Sequence, residues 1–327
     1  MTETGETIHP GVRRAAAAVC AVALLPITLG AVVTTLKAGM AFADWPSSDG
    51  HNMLLYPWLQ DLRNTDKFVE HGHRLAGMLI GVLSIGLVVT TFVCERRIWV
   101  RRYSVAILIA VIAQGLLGGA RVIQNKQTLA MLHSMTGALF FCMCVLFMVM
   151  TSRFWNQLTT QRDTRLSASS FSCVLLLPIA VFGQYILGSM FRHLHTMLHE
   201  HIGGAIVVTL MGIWAASLLL RSDAASLRRC GWLVSSTLLF QILLGLSAYV
   251  TRLGLPVAGY VATSGSFSQA VMCSLHTVGG MLLLSSTVVS AAVGLQMYRL
   301  GHLPGVSLVA QLPVAGTLTQ QRDGGAA

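Results

Sequence analysis

Charge is scarce in this chain. Lysine, arginine, aspartate and glutamate make up only 10% of its 327 residues, against 54% hydrophobic residues. A water-facing surface needs far more charge, so a soluble globular domain is excluded and a polytopic membrane protein is expected. Acidic residues are the scarcest, 12 against 22 lysines and arginines, and the middle of every long apolar run has none. Glycine-rich phosphate loops, zinc-ligand spacings and nucleophile elbows are missing too, which removes the common signatures of nucleotide, structural-zinc and serine-hydrolase chemistry. The seven cysteines lie within the apolar runs or near one set of their ends, and none falls in the long polar loop after the first run. Cys142 and Cys144 are two residues apart and face different ways on a helix, so the cysteines read as small packing residues.

What the chain has in abundance is apolar segments. A membrane-crossing helix needs about 20 mostly apolar residues, and eight stretches qualify: roughly 15–36, 72–94, 103–120, 131–151, 171–190, 201–220, 231–250 and 271–294. The first follows Arg13-Arg14 like a signal peptide, but no small-x-small cleavage site ends it, so it reads as a retained helix. The expected class is an all-α integral membrane protein. Arg13 and Arg14, Arg96 and Arg97, Arg101 and Arg102, Arg153, Arg162 and Arg165, and Arg221, Arg228 and Arg229 all fall in alternate connections. The positive-inside rule puts those connections and both termini in the cytoplasm, so the net charge of +10 reflects orientation and not a nucleic-acid partner.

The pattern repeats. Four apolar segments open with a histidine that has a small residue four positions on: His73/Gly77, His133/Gly137, His201/Ala205 and His276/Gly280. Three of the preceding segments carry Gln-x-x-x-Gly (Gln114/Gly118, Gln184/Gly188, Gln241/Gly245), and the first carries the worn form Pro26/Gly30. This implies an internal duplication of a four-helix unit, two pseudo-symmetric four-helix bundles in parallel topology. The halves are 1–151 and 171–294, with a cytoplasmic linker at 152–170 and a disordered cytoplasmic tail at 295–327. All four histidines then sit on the outer side of the membrane. A small residue one turn from an imidazole leaves a flat space on that helix face. Paired as His73 with His133 and His201 with His276, the imidazoles suit axial ligation of two planar macrocycles. His199, with Gly203 four residues on, is an alternative to His201.

Other residues fall near those ends. Glu70 shares a helix face with His73 and is the candidate catalytic carboxylate, able to take protons or stabilise positive charge in a dry site; capping of the helix N-terminus is the other reading. Arg74, Arg121, Arg192, Arg252 and Lys126 are candidate partners for the carboxylates of a cofactor, or interfacial cations that reach for water. The first outer loop, about 37–70, carries Trp45 and Trp58 and suits an interfacial cap over a pocket.

The run Ala38-Gly-Met-Ala-Phe-Ala-Asp44-Trp45-Pro46, the motif Glu70-x-x-His73-Arg74, Leu-Gly-Gly-Ala-Arg121 and His133-x-x-x-Gly137 together resemble the haem A synthase family. The resemblance covers about 15–295. It implies haem b held in the second half by His201 and His276, and the substrate haem o bound near His73 and His133. The implied reaction oxidises the C8 methyl of haem o to a formyl group, giving haem A for cytochrome c oxidase, with Glu70 tied to catalysis. Implied partners are haem o and the haem o synthase that supplies it, membrane lipid and an electron acceptor of unspecified identity, in the cell (inner) membrane, with homo-oligomerisation left open. Two departures stand out: the first outer loop lacks the cysteine pair of some family members, and Ile202 follows His201 where the first motif has arginine. A di-haem electron-transfer protein of the cytochrome b type would use the same histidines, and a transporter with a histidine-lined path would use them without haem.

Overall fold

The computed structural model describes residues 7–158 and 168–302. Among them the chain is helical, with no β-strand beyond two isolated bridges. Eight long helices are apolar enough to cross a membrane: α1 (Pro10–Thr35), α2 (Thr65–Cys94), α3 (Ile98–Gln124), α4 (Gln127–Met150), α6 (Ala168–Leu194), α7 (Leu198–Leu220), α8 (Ala225–Leu253) and α9 (Phe267–His302). A short helix, α5 (Arg153–Leu158), follows α4. The helices outrun the apolar segments that announce them, because polar first turns continue the same ladder. Thus α2 starts at Thr65, where the Asn64 side chain accepts from the Lys67 N–H at 3.3 Å and Asp66 favours the positive end of the helix dipole.

Two expected boundaries shift. The linker at 152–170 contains α5, and the tail expected from 295 begins as helix, since α9 runs to His302. The rest of that linker, with Arg162 and Arg165, and the rest of that tail lie outside the described residues.

Short connections force neighbouring helices to run antiparallel. Asn125 in the left-handed conformation turns α3 into α4, and Met197 does the same before α7. Helix α1 packs on α2 and α4, and α3 packs on α2 and α4; likewise α6 packs on α7 and α9, and α8 on α7 and α9. The two groups meet where α1 and α4 contact α9 and α4 contacts α6. Phe147, Leu87, Ile107 and Leu284 are among the fully buried side chains of this core. Large residues such as Val82, Ile109, Ile206 and Leu246 point outward, as lipid-facing surfaces require.

A recurrent lock sets helix spacing at the histidine ends. A Cβ placed on Gly30, Gly118, Gly188 or Gly245 would come within 2.9, 3.1, 2.8 and 3.1 Å, respectively, of Cε1 of His73, His133, His201 or His276. Each imidazole therefore lies in a notch cut by the glycine of the preceding helix. The glutamine of the same motif reaches the other way. Gln114 Nε2 donates to the His133 carbonyl at 2.9 Å, and Gln184 Nε2 to the His201 carbonyl at 2.7 Å.

A bulky side chain in a notch must drive the imidazole out or spread the helices. Gly188→Leu is expected to destabilise the protein by about 1–3 kcal/mol, the usual cost of overpacking. Gly203→Leu, where nothing lies within 4 Å of an added Cβ, should be near neutral. Thermal unfolding in detergent compares the two, and equal melting temperatures would show that the notch is not a constraint.

Candidate functional site

The structure brings the four histidines together in two pairs. His73 and His133 have ring centroids 6.2 Å apart with planes at 89°, and His201 and His276 are 6.3 Å apart at 77°. A metal bound at about 2 Å by one nitrogen of each ring sets the two centroids roughly 6 Å apart, so both pairs have room for one ion. His73 Nδ1 lies 2.9 Å from the Pro26 carbonyl. A carbonyl can only accept, so Nδ1 carries the proton and Nε2 keeps its lone pair, the orientation a metal ligand needs. Nδ1 of His133 and of His276 is buried without a hydrogen-bond partner. At His201 the Gln184 side-chain amide lies 2.9 Å from Nδ1. His199 is exposed and His201 is the residue that faces His276.

The flat space expected beside each histidine is corrected by the glutamines. An added Cβ on Gly137 would come within 2.8 Å of Gln114 Nε2, and one on Gly280 within 3.3 Å of Gln241 Nε2. At His201 the Gln184 side chain crowds Gly204 instead. Only Gly77, beside His73, has nothing within 4 Å. The helix facing it carries Pro26, which has no amide to fill the gap. Here a cavity of about 420 Å³ opens, lined by His73, Gly77, His133, Gly118, Trp45 and Met281, with Glu70, Arg74, Arg121, Arg192 and His193 on its wall.

Glu70 is buried, and its contacts are with the loop between α1 and α2. Its Oε2 accepts from the main-chain N–H of Ala41 at 2.7 Å and of Phe42 at 3.3 Å, while Oε1 pairs with Arg74 Nη2 at 2.8 Å. Arg74 donates onward to the carbonyls of Asp44 at 2.9 Å and Ser47 at 2.7 Å. Arg121 donates to the Gly39 carbonyl. His71, buried among Phe42, Tyr56 and Trp58, holds Ser48 at 3.1 Å. Residues 39–48 are thus clamped through their own backbone over the cavity, with Trp45 laid against Gly119.

Within that loop Asp44 accepts from the N–H groups of Asp49 at 3.0 Å and Gly50 at 2.8 Å. Partial burial pushes its carboxyl up, but these donors hold it below the usual carboxylate range. The stabilisation is therefore present above the ordinary aspartate value and is lost as pH falls through the lowered one. Tyr56 donates to Asp61 at 2.5 Å, and burial together with that carboxylate holds the phenol well above its usual range.

The remaining cations divide. Arg192 donates to the carbonyls of Ala31 at 2.5 Å and Cys273 at 3.3 Å, to Thr35 Oγ1 at 2.8 Å and to Thr277, tying α6 to α1 and α9. Arg252 stacks 4.5 Å above the Phe191 ring. Lys126 is exposed just before α4, away from the cavity wall. Sequence reasoning overlooked the backbone-clamping role of Glu70, Arg74 and Arg121, and it did not single out His193 as a wall residue. All seven cysteines are free, and Cys142 Sγ lies 3.4 Å from Ser285 Oγ between α4 and α9.

Removing one partner of a buried ion pair strands the other and costs about 3–5 kcal/mol. Glu70→Gln and Arg74→Gln are each expected to free the 39–48 loop, read as faster proteolytic cleavage there. The double variant should lose clearly less than the sum of the two, and simple additivity would show that the pair does not act as a unit.

No curated protein matches the chain. A family model described as Cytochrome oxidase assembly protein, COX15-CtaA, matches residues 60–201. That segment carries Glu70, His73, Arg74, Arg121, His133, Arg192 and His201, and ends before Arg252 and His276. The charged residues of the cavity wall and one full histidine pair fall within it, in the same family that the loop and histidine motifs resemble. Over residues 60–201 the chain is similar to the COX15-CtaA family of cytochrome oxidase assembly proteins.

Proposed function

We propose that the protein is a haem A synthase of the cell membrane. Its substrate is haem o, whose C8 methyl is oxidised to a formyl group, and its resident cofactor is haem b. The family-model match over residues 60–201 supports a role in cytochrome oxidase assembly, and the observation that carries the site assignment is the difference between the two histidine pairs. Both pairs have the spacing of axial ligands, and among the described residues no group of three or more histidine, cysteine or acidic side chains gathers as a metal cage. A planar macrocycle that brings its own equatorial nitrogens fits such a two-ligand site. Beside His73 the wall is open at Gly77, whereas Gln184 and Gln241 fill the corresponding gaps at the second pair. The open pair is assigned to the exchanging substrate and the filled pair to the resident group.

In this reading His201 and His276 hold haem b, and His73 and His133 hold haem o. Haem b, when bound, supplies a one-electron redox centre through which electrons leave the substrate site. The protein's own contribution is position and exclusion. Pro26 fixes the tautomer of His73, and the clamped loop with Trp45 covers the cavity against water. Glu70 places a carboxylate on the wall, where it holds Arg74 and can receive a proton released near it. The pattern of positive connections supports an orientation with both termini in the cytoplasm and both pairs toward the outer face. A di-haem electron carrier would need no open wall beside one of its ligands.

The test is haem extraction and mass analysis after co-expression with a haem o source. The wild type should yield haem A. His276→Ala should lose the tightly held cofactor, whereas His133→Ala should retain it and lower haem A yield at least ~tenfold, the scale of one lost strong interaction. Glu70→Gln should keep the cofactor and lose product. The reverse pattern for the two histidines would overturn the assignment of pairs, and purified protein without a Soret band would overturn the haem reading.

A further inference from the structure

The cavity beside His73 is not built by α1 to α4 alone. Arg192 and His193, from the last turn of α6, stand on its wall. The Arg192 guanidinium is fixed by its bonds to α1 and α9, so its charge cannot swing away to water. His193 is 8% exposed, and its Nε2 is buried with no hydrogen-bond partner. A buried polar nitrogen left unpaired costs free energy unless something bound satisfies it.

The surroundings indicate what that something is. His193 lies within electrostatic reach of Arg192, Arg121 and Arg252, and of His133. The cavity wall bears Arg74, Arg121 and Arg192 against Glu70, whose Oε1 is already taken by Arg74. Buried cations in excess of their carboxylates want an anion. The helix-locking pattern does not account for these residues either. Aligning the notch glycines Gly30 and Gly188 puts Thr34 and Thr35 at the positions of Arg192 and His193, and α1 makes its notch with those threonines.

We propose that His193 Nε2, flanked by Arg121 and Arg192, forms a carboxylate-binding subsite of the first cavity, supplied across the seam by the second set of helices. It rests on the reading of that cavity as a macrocycle site, and assigns the subsite to an acidic side chain on the macrocycle edge. The Nε2–H donates to a carboxylate oxygen while the two guanidinium groups neutralise its charge. A lipid phosphate has similar acceptor chemistry, so the test separates the two.

The protein as purified in detergent is titrated with a metal-free porphyrin dicarboxylate and with its dimethyl ester, followed by porphyrin absorbance. Without iron, histidine ligation and turnover do not enter the readout. The wild type is expected to bind the diacid at least ~tenfold tighter than the diester, the effect of one good charge-assisted bond. His193→Leu should reduce that preference severalfold and leave diester affinity unchanged, and His193→Gln, which retains a donor, should restore most of it. Equal binding of diacid and diester by the wild type, or full preference in His193→Leu, overturns the subsite while leaving the macrocycle reading standing. Failure of both porphyrins to bind overturns that reading and the subsite with it. Loss of the diacid preference on adding phosphatidylglycerol assigns the pocket to lipid phosphate and overturns the carboxylate assignment.

Discussion

An imidazole seated in a glycine notch is the interaction on which the rest of this structure depends. Helices in lipid gain little from hiding apolar surface from one another, so they are held by close approach and by polar contacts between them. At each histidine end both occur together. The notch glycine lets the ring of the next helix approach its backbone, and in three of the four cases a glutamine crosses back toward the chain around the histidine. Helix spacing and ring orientation are then set by the same contact. A leucine at the histidine position would fill the notch but would leave no nitrogen directed between the helices.

The same lock explains why one site differs from the others. Where α3, α6 and α8 carry glutamine, α1 carries Pro26. Proline sacrifices a helix hydrogen bond, tolerable in a packed membrane helix, and it cannot cover the neighbouring helix face. Gly77 consequently faces open space, and the largest difference between the two histidine pairs follows from one residue. The loop over that space is held by charged side chains acting on backbone atoms, which lets its exposed positions vary while its path stays fixed.

The membrane class, the eight spans and the histidine pairs were legible because they depend on periodicity and spacing. Gln-x-x-x-Gly was visible as a repeat, but its role was not: a side chain lying across a facing helix depends on interhelical rotation, which spacing along one chain does not encode. Glu70, Arg74 and Arg121 lie on the cavity wall, yet in sequence they read only as groups for a ligand or cap, because backbone acceptors in a loop carry no sequence signature. Lys126 looks like its arginine neighbours in sequence and differs only in facing outward. The contribution of Arg192 and His193 to the opposite set of helices depends on the packing of α6 on α9 and the bonds of Arg192 to α1, which no local motif announces.

The two histidine pairs differ in how far packing alone holds their helices together. The His73 ring is fixed at Nδ1 by the Pro26 carbonyl and at its edge by Gly30, so the direction of its Nε2 is set by the fold. Pre-set ligands lose little freedom on binding, and anything that binds only the folded arrangement stabilises it by mass action. The glutamine-filled pair and the open pair differ in the second respect. Around His201 and His276 the glutamines already bridge the helices, and a group bound there adds to an existing contact. Beside His73 that bridge is missing, so the clamped loop and the Arg192 tie must carry the helix contacts whether or not the cavity is filled. An exchanging ligand requires that independence, since a helix pair that depended on its ligand would loosen at every release.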